Sequence, residues 1–204
     1  MMSEKVGQLI SAHAHDGARL REQFFADQAE ALAEAARAMA LSLAQGGKIL
    51  WCGNGGSAAD AQHFSAELVN RFLMERPPLP SLALTTDTSA LTAITNDYSF
   101  DQVFSKQVQA LGRPGDVLVG ISTSGRSANV NEALRVALAQ GLITIGLGGR
   151  GGGAMVTHCH HLFLVPDKRT PLIQEVHCAI GHMLCYLIDY YLFEAVTELD
   201  LHTS

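Results

Sequence analysis

The sequence predicts an α/β fold in which a doubly wound, mostly parallel sheet is flanked by helices. Short apolar runs alternate with helical patterns along residues 47–204, and this order is typical of right-handed crossovers between parallel strands. Residues 1–46 instead form a long N-terminal helical segment, because they are rich in Ala, Leu, Gln and Glu. We therefore expect a single domain over residues 1–204, with an α/β core at 47–204.

The elements of this fold can be placed by periodicity and by their stop signals. Apolar residues keep helical spacing from Ala29 to Leu43, and Gly46-Gly47 ends the run, which predicts one long helix or a pair of helices. The expected elements that follow are strand 48–52, helix 58–73, strands 81–84 and 116–121, helix 129–140, strands 142–147 and 162–165, and helix 173–193. The proline-rich segment 75–80 is expected to be a connection.

Composition excludes several classes of function. With 48% hydrophobic and 17% charged residues, the 204-residue chain can bury a core and is not expected to be disordered. A formal net charge of −6 disfavours direct nucleic-acid binding and binding to anionic membranes, both of which need a basic surface. An anionic substrate must then be held by local donors.

The cysteines and the N-terminus indicate a cytoplasmic protein. Cys52, Cys159, Cys178 and Cys185 form no C-x-x-C pair, so we expect reduced and mostly buried thiols. No signal-peptide pattern is seen. The apolar stretch 178–193 is interrupted by two polar residues and is expected to be too short for a bilayer, so no membrane partner is expected.

The loop after the first strand, Gly53-Asn-Gly-Gly-Ser-Ala58, is suited to anions. Its glycines allow close backbone approach, and the helix that follows offers free N–H groups. The spacing also fits a dinucleotide fingerprint, but Asn70 and Arg71 stand about 20 positions on, where that fingerprint needs an acidic residue. No Gly-Lys-Ser/Thr motif supports nucleotide hydrolysis at this loop or at the loop after strand 116–121.

The loop after strand 116–121 carries four hydroxyls at a strand-to-helix turn. They belong to Ser122, Thr123, Ser124 and Ser127. Hydroxyls and helix-start amides can surround a phosphate without a fixed charge. The alternative is helix N-capping, for which one hydroxyl would suffice. Four hydroxyls beside Gly125 favour a ligand loop.

Two helices carry metal or acid–base candidates. His63 and Glu67 lie one turn apart on the first helix of the core, a spacing that can present two ligands but also suits a surface pair. The last helix carries Gln174, Glu175, His177, Cys178 and His182. Spacing pairs Cys178 with His182, whereas Gln174 lies about 12 Å from His182 along an ideal helix. The residues alone leave the ligand set open. His158, His160 and His161 are interpreted as structural or surface residues.

Together these segments resemble the SIS (sugar isomerase) domain family, and within it the phosphoheptose isomerases. The resemblance is carried by Cys52-Gly-Asn-Gly-Gly-Ser57, Asp60-Ala-Gln-His-Phe-Ser-Ala-Glu67, Asn70-Arg-Phe72, Glu75-Arg-Pro77, Asn96-Asp97, Gly115–Gly125, Ser127-Ala-Asn-Val130, Ile173-Gln-Glu-Val-His177 and His182. These matches run in the same order over nearly the whole chain. Two departures are Arg126, where the family usually has Asn, and Thr170-Pro-Leu before Ile173.

The resemblance implies specific roles. Contacts to the substrate fall on Asn54, Gly55, Gly56, Ser57, Asn96, Asp97 and Gln174, and contacts to its phosphate on Ser122, Thr123, Ser124 and Ser127. The zinc ligands fall on His63, Glu67, Gln174 and His182, with one zinc per subunit of a homotetramer. The expected reaction converts sedoheptulose 7-phosphate to D-glycero-D-manno-heptose 7-phosphate for envelope heptose synthesis. Glu67 is then the candidate base and His182 the candidate acid.

Two non-enzymatic alternatives share this fold. SIS proteins that bind the bacterial replication initiator share the Asn-Arg-Phe and Glu-Arg-Pro stretches but tend to lack the glutamate at position 67. A regulator that senses sugar phosphates would keep the hydroxyl-bearing loop at residues 122–127, called the serine loop below, without the acid–base pair. Glu67 together with His182 favours the enzyme.

Overall fold

Five parallel strands lie at the centre of the computed structural model, which describes residues 2–199. They are β1 (Ile49–Gly53), β2 (Ser81–Ala83), β3 (Val117–Ser122), β4 (Ile143–Gly149) and β5 (His161–Val165). The strand order is β2-β1-β3-β4-β5, and every pairing between them is parallel, as predicted. The order reverses between β1 and β3. Residue 1 and residues 200–204 of the predicted domain lie outside the described part.

Residues 2–199 also form six α-helices around the sheet. They are α1 (Glu4–Ala44), α2 (Gly56–Val69), α3 (Thr88–Asp97), α4 (Ser105–Leu111), α5 (Ala128–Ala139) and α6 (Thr170–Asp189). The N-terminal segment is one helix of 41 residues. Ser3 caps its start, where its hydroxyl accepts a hydrogen bond from the amide of Val6, and Gly46, with a φ of +85°, follows the C-cap residue Gln45.

Two cores hold the helices on opposite faces of the sheet, as the doubly wound prediction requires. On one face Met39 of α1, Phe64 of α2 and Ile180 of α6 share a core. On the other face Val108 of α4 and Leu134 of α5 share a second core. The first core brings α2 and α6 into contact, and these are the helices that carry the predicted metal and acid–base candidates.

Gly181 explains how closely α2 and α6 approach. A side chain at this position of α6 would collide with the ring of Phe64 on α2. Glycine inside a helix costs about 1 kcal/mol relative to alanine, so its place here is explained by the close approach that it allows.

The α2 helix is shorter than predicted, because it ends at Val69. The guanidinium of Arg76 donates to the carbonyl oxygens of Glu67, Leu68 and Asn70, which have no partner inside the helix. The same side chain forms a buried ion pair with Asp189 at 2.9 Å. The Glu-Arg-Pro stretch therefore stops the helix that carries Glu67.

Two helices were absent from the sequence-based expectation. Both α3 and α4 lie between β2 and β3, where no helix was predicted. The α3 helix begins at Asp87, whose carboxylate accepts from the amide of Ala90 at 3.0 Å, and none of its residues is buried. Its Thr, Ser, Asn and Asp residues are weak helix formers, which explains why no helical pattern stood out.

The last helix is longer than the apolar stretch suggested. Helical structure continues through a π-helical turn to Glu194, and the run Thr170–Glu194 is long and apolar enough to cross a membrane, contrary to the expectation from the sequence. Half of its most apolar window is buried inside the fold, as in a core helix of a soluble protein. All four cysteines are free; Cys52 and Cys185 are buried, and the other two are half-buried.

Candidate active site

The loops after β1 and β3 meet at the point where the strand order reverses. Gly53 at the end of β1 is in register with Ile121 near the end of β3. Open parallel sheets bind ligands beyond the carboxyl ends of the strands at such a point. The two loops that the sequence singled out therefore share one edge of the sheet.

The β1 loop is shaped by its glycines. Gly55 has a φ of +56° and precedes the first residue of α2, and no side chain caps that helix start. A side chain at Gly53 would collide with the backbone of Ser57, and one at Gly56 would collide with the amide of Gln174.

The hydroxyls of the β3 loop converge on one another. The Oγ atom of Ser122 lies 2.9 Å from that of Ser127 and 3.4 Å from that of Ser124. The backbone amide of Arg126 donates to Ser124 Oγ at 3.2 Å, while the Arg126 residue is exposed. Thr123 is half-buried in the same turn.

Ser127 does not cap the N-terminus of α5 with its side chain. Ser127 precedes α5, yet its hydroxyl makes no hydrogen bond with the first amides of that helix. It contacts Ser122 Oγ instead. The first two amides of α5, those of Ala128 and Asn129, and the grouped hydroxyls are thus available together, which favours a ligand loop. The next amide, that of Val130, instead donates to Asn129 Oδ1.

A cluster of nitrogen, oxygen and sulfur atoms lies where α2 meets α6. His63 Nε2 is 3.1 Å from Glu67 Oε1 and 3.3 Å from His182 Nε2. The thiol of Cys178 joins the two histidines, with all three ligand atoms within 4.8 Å of one another. The ring of Phe72 stacks on His182 at 5.5 Å between centroids. We call His63, Glu67, Cys178 and His182 the helix-pair cluster.

Gln174 lies beside this cluster but bonds elsewhere. Its side-chain Nε2 donates to Asp60 Oδ2 at 3.1 Å. Burial raises the pKa of Asp60, while the hydrogen bond from Gln174 and the nearby His63 and His182 act to lower it. Within this one chain, Cys178 thus lies with the two histidines, while the side chain of Gln174 is bonded to Asp60.

Within residues 2–199, Asn96 and Asp97 form no hydrogen bond or ion pair with the helix-pair cluster. They close α3, both are exposed, and the amide of Asn96 donates to Asp97 Oδ1 at 2.8 Å. Among residues 2–199, no side-chain hydrogen bond or ion pair joins them to either loop. Their predicted contact with a sugar remains a prediction.

Asp60 had no role in the sequence analysis, and the structure gives His177 and His160 partners that the sequence did not identify. Asp60 stands one turn before His63 on α2, so helical spacing could have found it. His177 is buried, and its Nε2 lies 2.9 Å from the carbonyl oxygen of Gly148. Burial lowers the pKa of His177 to about 4, which that hydrogen bond partly opposes. His160 is structural, because its Nδ1 accepts from the amide of Thr144.

Comparison with known proteins assigns the fold to a family. The SIS domain family matches residues 12–149. A phosphoheptose isomerase of Nitratidesulfovibrio vulgaris is 60% identical over 199 residues, covering 98% of this chain and 96% of that protein. One from Desulfovibrio desulfuricans is 64% identical over 198 residues, covering 97% of this chain and 94% of that protein.

Solved structures agree with the sequence relatives. The phosphoheptose isomerase of Neisseria gonorrhoeae is 49% identical with a TM-score of 0.85, covering 90% of this chain and 98% of that one. The enzyme from Francisella tularensis is 40% identical with a TM-score of 0.87, covering 92% of this chain and 99% of that one. The sugar isomerase domain of a transcription factor from Sphaerobacter thermophilus, 18% identical with a TM-score of 0.63, shares only the fold. Identity near 60% over almost the full length therefore favours the enzyme over the two non-enzymatic alternatives.

Proposed function

Since the chain belongs to the SIS domain family and, within it, to the phosphoheptose isomerases, we propose that it converts sedoheptulose 7-phosphate to D-glycero-D-manno-heptose 7-phosphate. Its activity is the isomerisation of a heptose phosphate between ketose and aldose forms. The observation that carries the proposed chemistry is that Glu67 and His182 both contact His63 Nε2. The product would supply heptose for the cell envelope.

The helix-pair cluster fits a zinc ion by its chemistry. Imidazole nitrogen, carboxylate oxygen and thiolate sulfur are the donors that zinc prefers, and the Nε2 atoms of His63 and His182 face each other at 3.3 Å, close enough for one ion to contact both. We propose His63, Glu67, Gln174 and His182 as its ligands, with Cys178 as the alternative to Gln174. When bound, the ion would supply polarisation of the sugar carbonyl.

Glu67 and His182 would carry out different proton transfers. Glu67 takes a proton from C1 of the ketose, an enediol forms, and the proton returns to C2 to give the aldose. His182 donates a proton to the carbonyl oxygen at C2 and recovers one from the hydroxyl at C1, so the reaction is balanced. Phe72, stacked on His182, limits the orientations of its ring.

The two loops would hold the substrate. The hydroxyls of Ser122, Ser124 and Ser127, together with Thr123, would donate hydrogen bonds to the phosphate, assisted by the first two amides of α5. Asn54, Gly55, Gly56 and Ser57 would contact the sugar, and Gln174 faces the same loop at Gly56. Asn96 and Asp97 would complete the sugar contacts.

We propose a cytoplasmic homotetramer that does not bind nucleic acid directly. The α3 helix has no buried residue, although it carries Leu91 and Ile94 and ends in the proposed sugar-binding residues. An apolar cavity of about 420 Å³ beside His182 is lined by Phe25, Phe72, Leu73, Met183 and Tyr186. Both features suit contact with further subunits. Free thiols suit the cytoplasm, and a net charge of −6 disfavours nucleic acid.

The proposal is tested by assaying the purified protein with sedoheptulose 7-phosphate, with and without a chelator. Glu67→Gln is expected to lower kcat by about 100-fold or more, because it removes the base and keeps the shape of the side chain. Glu132→Gln, which alters an exposed pair with Arg135, is the matched control. An inactive wild type that binds the replication initiator tightly would instead favour the non-enzymatic relatives.

A further inference from the structure

Asn129 joins the two ligand loops through a reciprocal pair of side-chain amides. Its Nδ2 donates to Asn54 Oδ1 at 2.9 Å, and Asn54 Nδ2 donates back to Asn129 Oδ1 at 2.8 Å. Asn54 belongs to the β1 loop, and Asn129 is the second residue of α5, directly after the β3 loop. This pair therefore links the segments that follow β1 and β3, the two strands between which the strand order reverses.

Burial makes this bridge specific. Asn129 is only 2% exposed, and burying an amide without partners costs about 1–3 kcal/mol in proteins. Its oxygen also accepts from the backbone amide of Val130 at 2.9 Å, so rotating the amide by half a turn would place two donors together. The amide of Asn129 therefore has one favourable orientation, and that orientation requires Asn54 in its observed place.

A second buried asparagine holds the other loop. Asn131 Nδ2 donates to the carbonyl oxygen of Gly125 at 3.1 Å, at the turn of the serine loop. Gly125 packs directly against Gly152, because a side chain at position 125 would collide with the backbone of Gly152. The first turn of α5 thus anchors the β3 loop through Asn131 and reaches the β1 loop through Asn129.

We propose that Asn129 is a positioning residue that sets the distance between the sugar-binding β1 loop and the phosphate-binding serine loop. A phosphorylated sugar must touch both loops at once, so its reacting carbons reach Glu67 and His182 only when the two loops keep a fixed separation. Misplacement by about 1 Å can cost about 100-fold in rate. This role rests on the proposed function, in which Asn54 and Ser122 to Ser127 bind the substrate.

The activity test compares Asn54→Ala, Asn129→Ala and the double variant. Asn129→Ala is expected to lower kcat/KM about 10-fold to 100-fold, while the dissociation constant for inorganic phosphate changes less than about threefold, because Asn131 still holds the serine loop. The double variant is expected to match the worse single variant, since both changes remove one bridge. Thr144→Val, which loses buried hydrogen bonds to His160 at the far end of β4, is the control for lost stability alone.

A second readout does not depend on turnover. Deuterium uptake by the segment 53–59 is expected to become about tenfold faster in Asn129→Ala than in wild type, because the bridge no longer restrains the β1 loop. If Asn129→Ala fails to fold, Asn54→Ala removes the same bridge from its half-buried side and is expected to show the same faster uptake. Unchanged uptake with kcat/KM within about twofold of wild type would overturn the inference, as would strictly additive losses in the double variant. Loss of wild-type turnover would contradict the proposed function separately.

Discussion

The Nε2 atoms of His63 and His182 lie 3.3 Å apart, although 119 residues separate them in the chain. Packing brings them together: Phe64, next to His63, lies against Gly181, next to His182. The neighbouring residue of each histidine therefore fixes the approach of its helix. The position of the cluster follows from the apolar contact between α2 and α6.

Substituting Gly181 tests this dependence. Gly181→Ala is expected to reduce zinc affinity by at least about tenfold and to destabilise the fold by about 1–3 kcal/mol, because the added methyl forces Phe64 and α2 away. Zinc titration and urea unfolding measure both effects. Gly7→Ala, in the mostly exposed first turns of α1, is the control and should leave zinc binding unchanged. Equal zinc affinity in Gly181→Ala and wild type would show that the helix contact does not position the ligands.

The serine loop predicts a change in substrate binding. Ser124→Ala and Ser127→Ala are each expected to raise KM about 10-fold to 100-fold, because a hydrogen bond to a charged group contributes about 1.5–3 kcal/mol. Steady-state kinetics with sedoheptulose 7-phosphate provide the measurement, and Ser11→Ala on the exposed part of α1 serves as the control. Unchanged KM in both variants would refute the phosphate role of this loop.

Arg76 is expected to stabilise the end of α2 through its buried contacts. Arg76→Ala should destabilise the protein by about 3–5 kcal/mol, because Asp189 would be left as a buried charge without its partner. Arg76→Lys should also fail to restore stability, since one ammonium cannot replace the fork that reaches Asp189 and four carbonyl oxygens. Arg135→Lys, in an exposed pair, should change the free energy of unfolding by less than about 1 kcal/mol. A fully stable Arg76→Lys protein would contradict this account.

His177 predicts a loss of stability in acid. Burial lowers the pKa of its imidazole to about 4, below its ordinary value of 6.5, so between these values the unfolded chain binds a proton that the folded chain does not. The contribution of this group to the free energy of unfolding is therefore fully present above pH 6.5. It falls as the pH drops towards 4, by about 3 kcal/mol in total. His177→Gln, which keeps a donor for Gly148, should lose less stability over this range. Urea unfolding at several pH values with chelator present measures it, and identical slopes for both proteins would reject the role of His177.

Much of the fold was predictable because its strands are buried on both faces. The β1, β3 and β4 strands are apolar runs between glycines or polar residues, and their observed bounds agree with the predicted ones within two residues. The α3 helix was not predictable in this way, since its weak helix formers bury no side chain and give no apolar face.

Of the side-chain pairs in the site, only those that lie within one helical turn were predictable from the sequence. His63 and Glu67 were found by helical spacing, which acts over one turn. The bonds from Gln174 to Asp60 and from Asn129 to Asn54 join residues 114 and 75 positions apart, and no local pattern encodes such contacts. The position of the Cys178 thiol beside the two histidines likewise depends on how α6 packs against α2.

The coordination of bound zinc tests the central claim most directly. X-ray absorption and metal analysis of the purified protein are expected to find one zinc per chain with nitrogen and oxygen ligands, and both His63→Ala and His182→Ala should lose the metal while remaining folded. Sulfur in the coordination shell would assign Cys178 in place of Gln174. Zinc retained in full by both histidine variants would contradict a metal centre shared by α2 and α6.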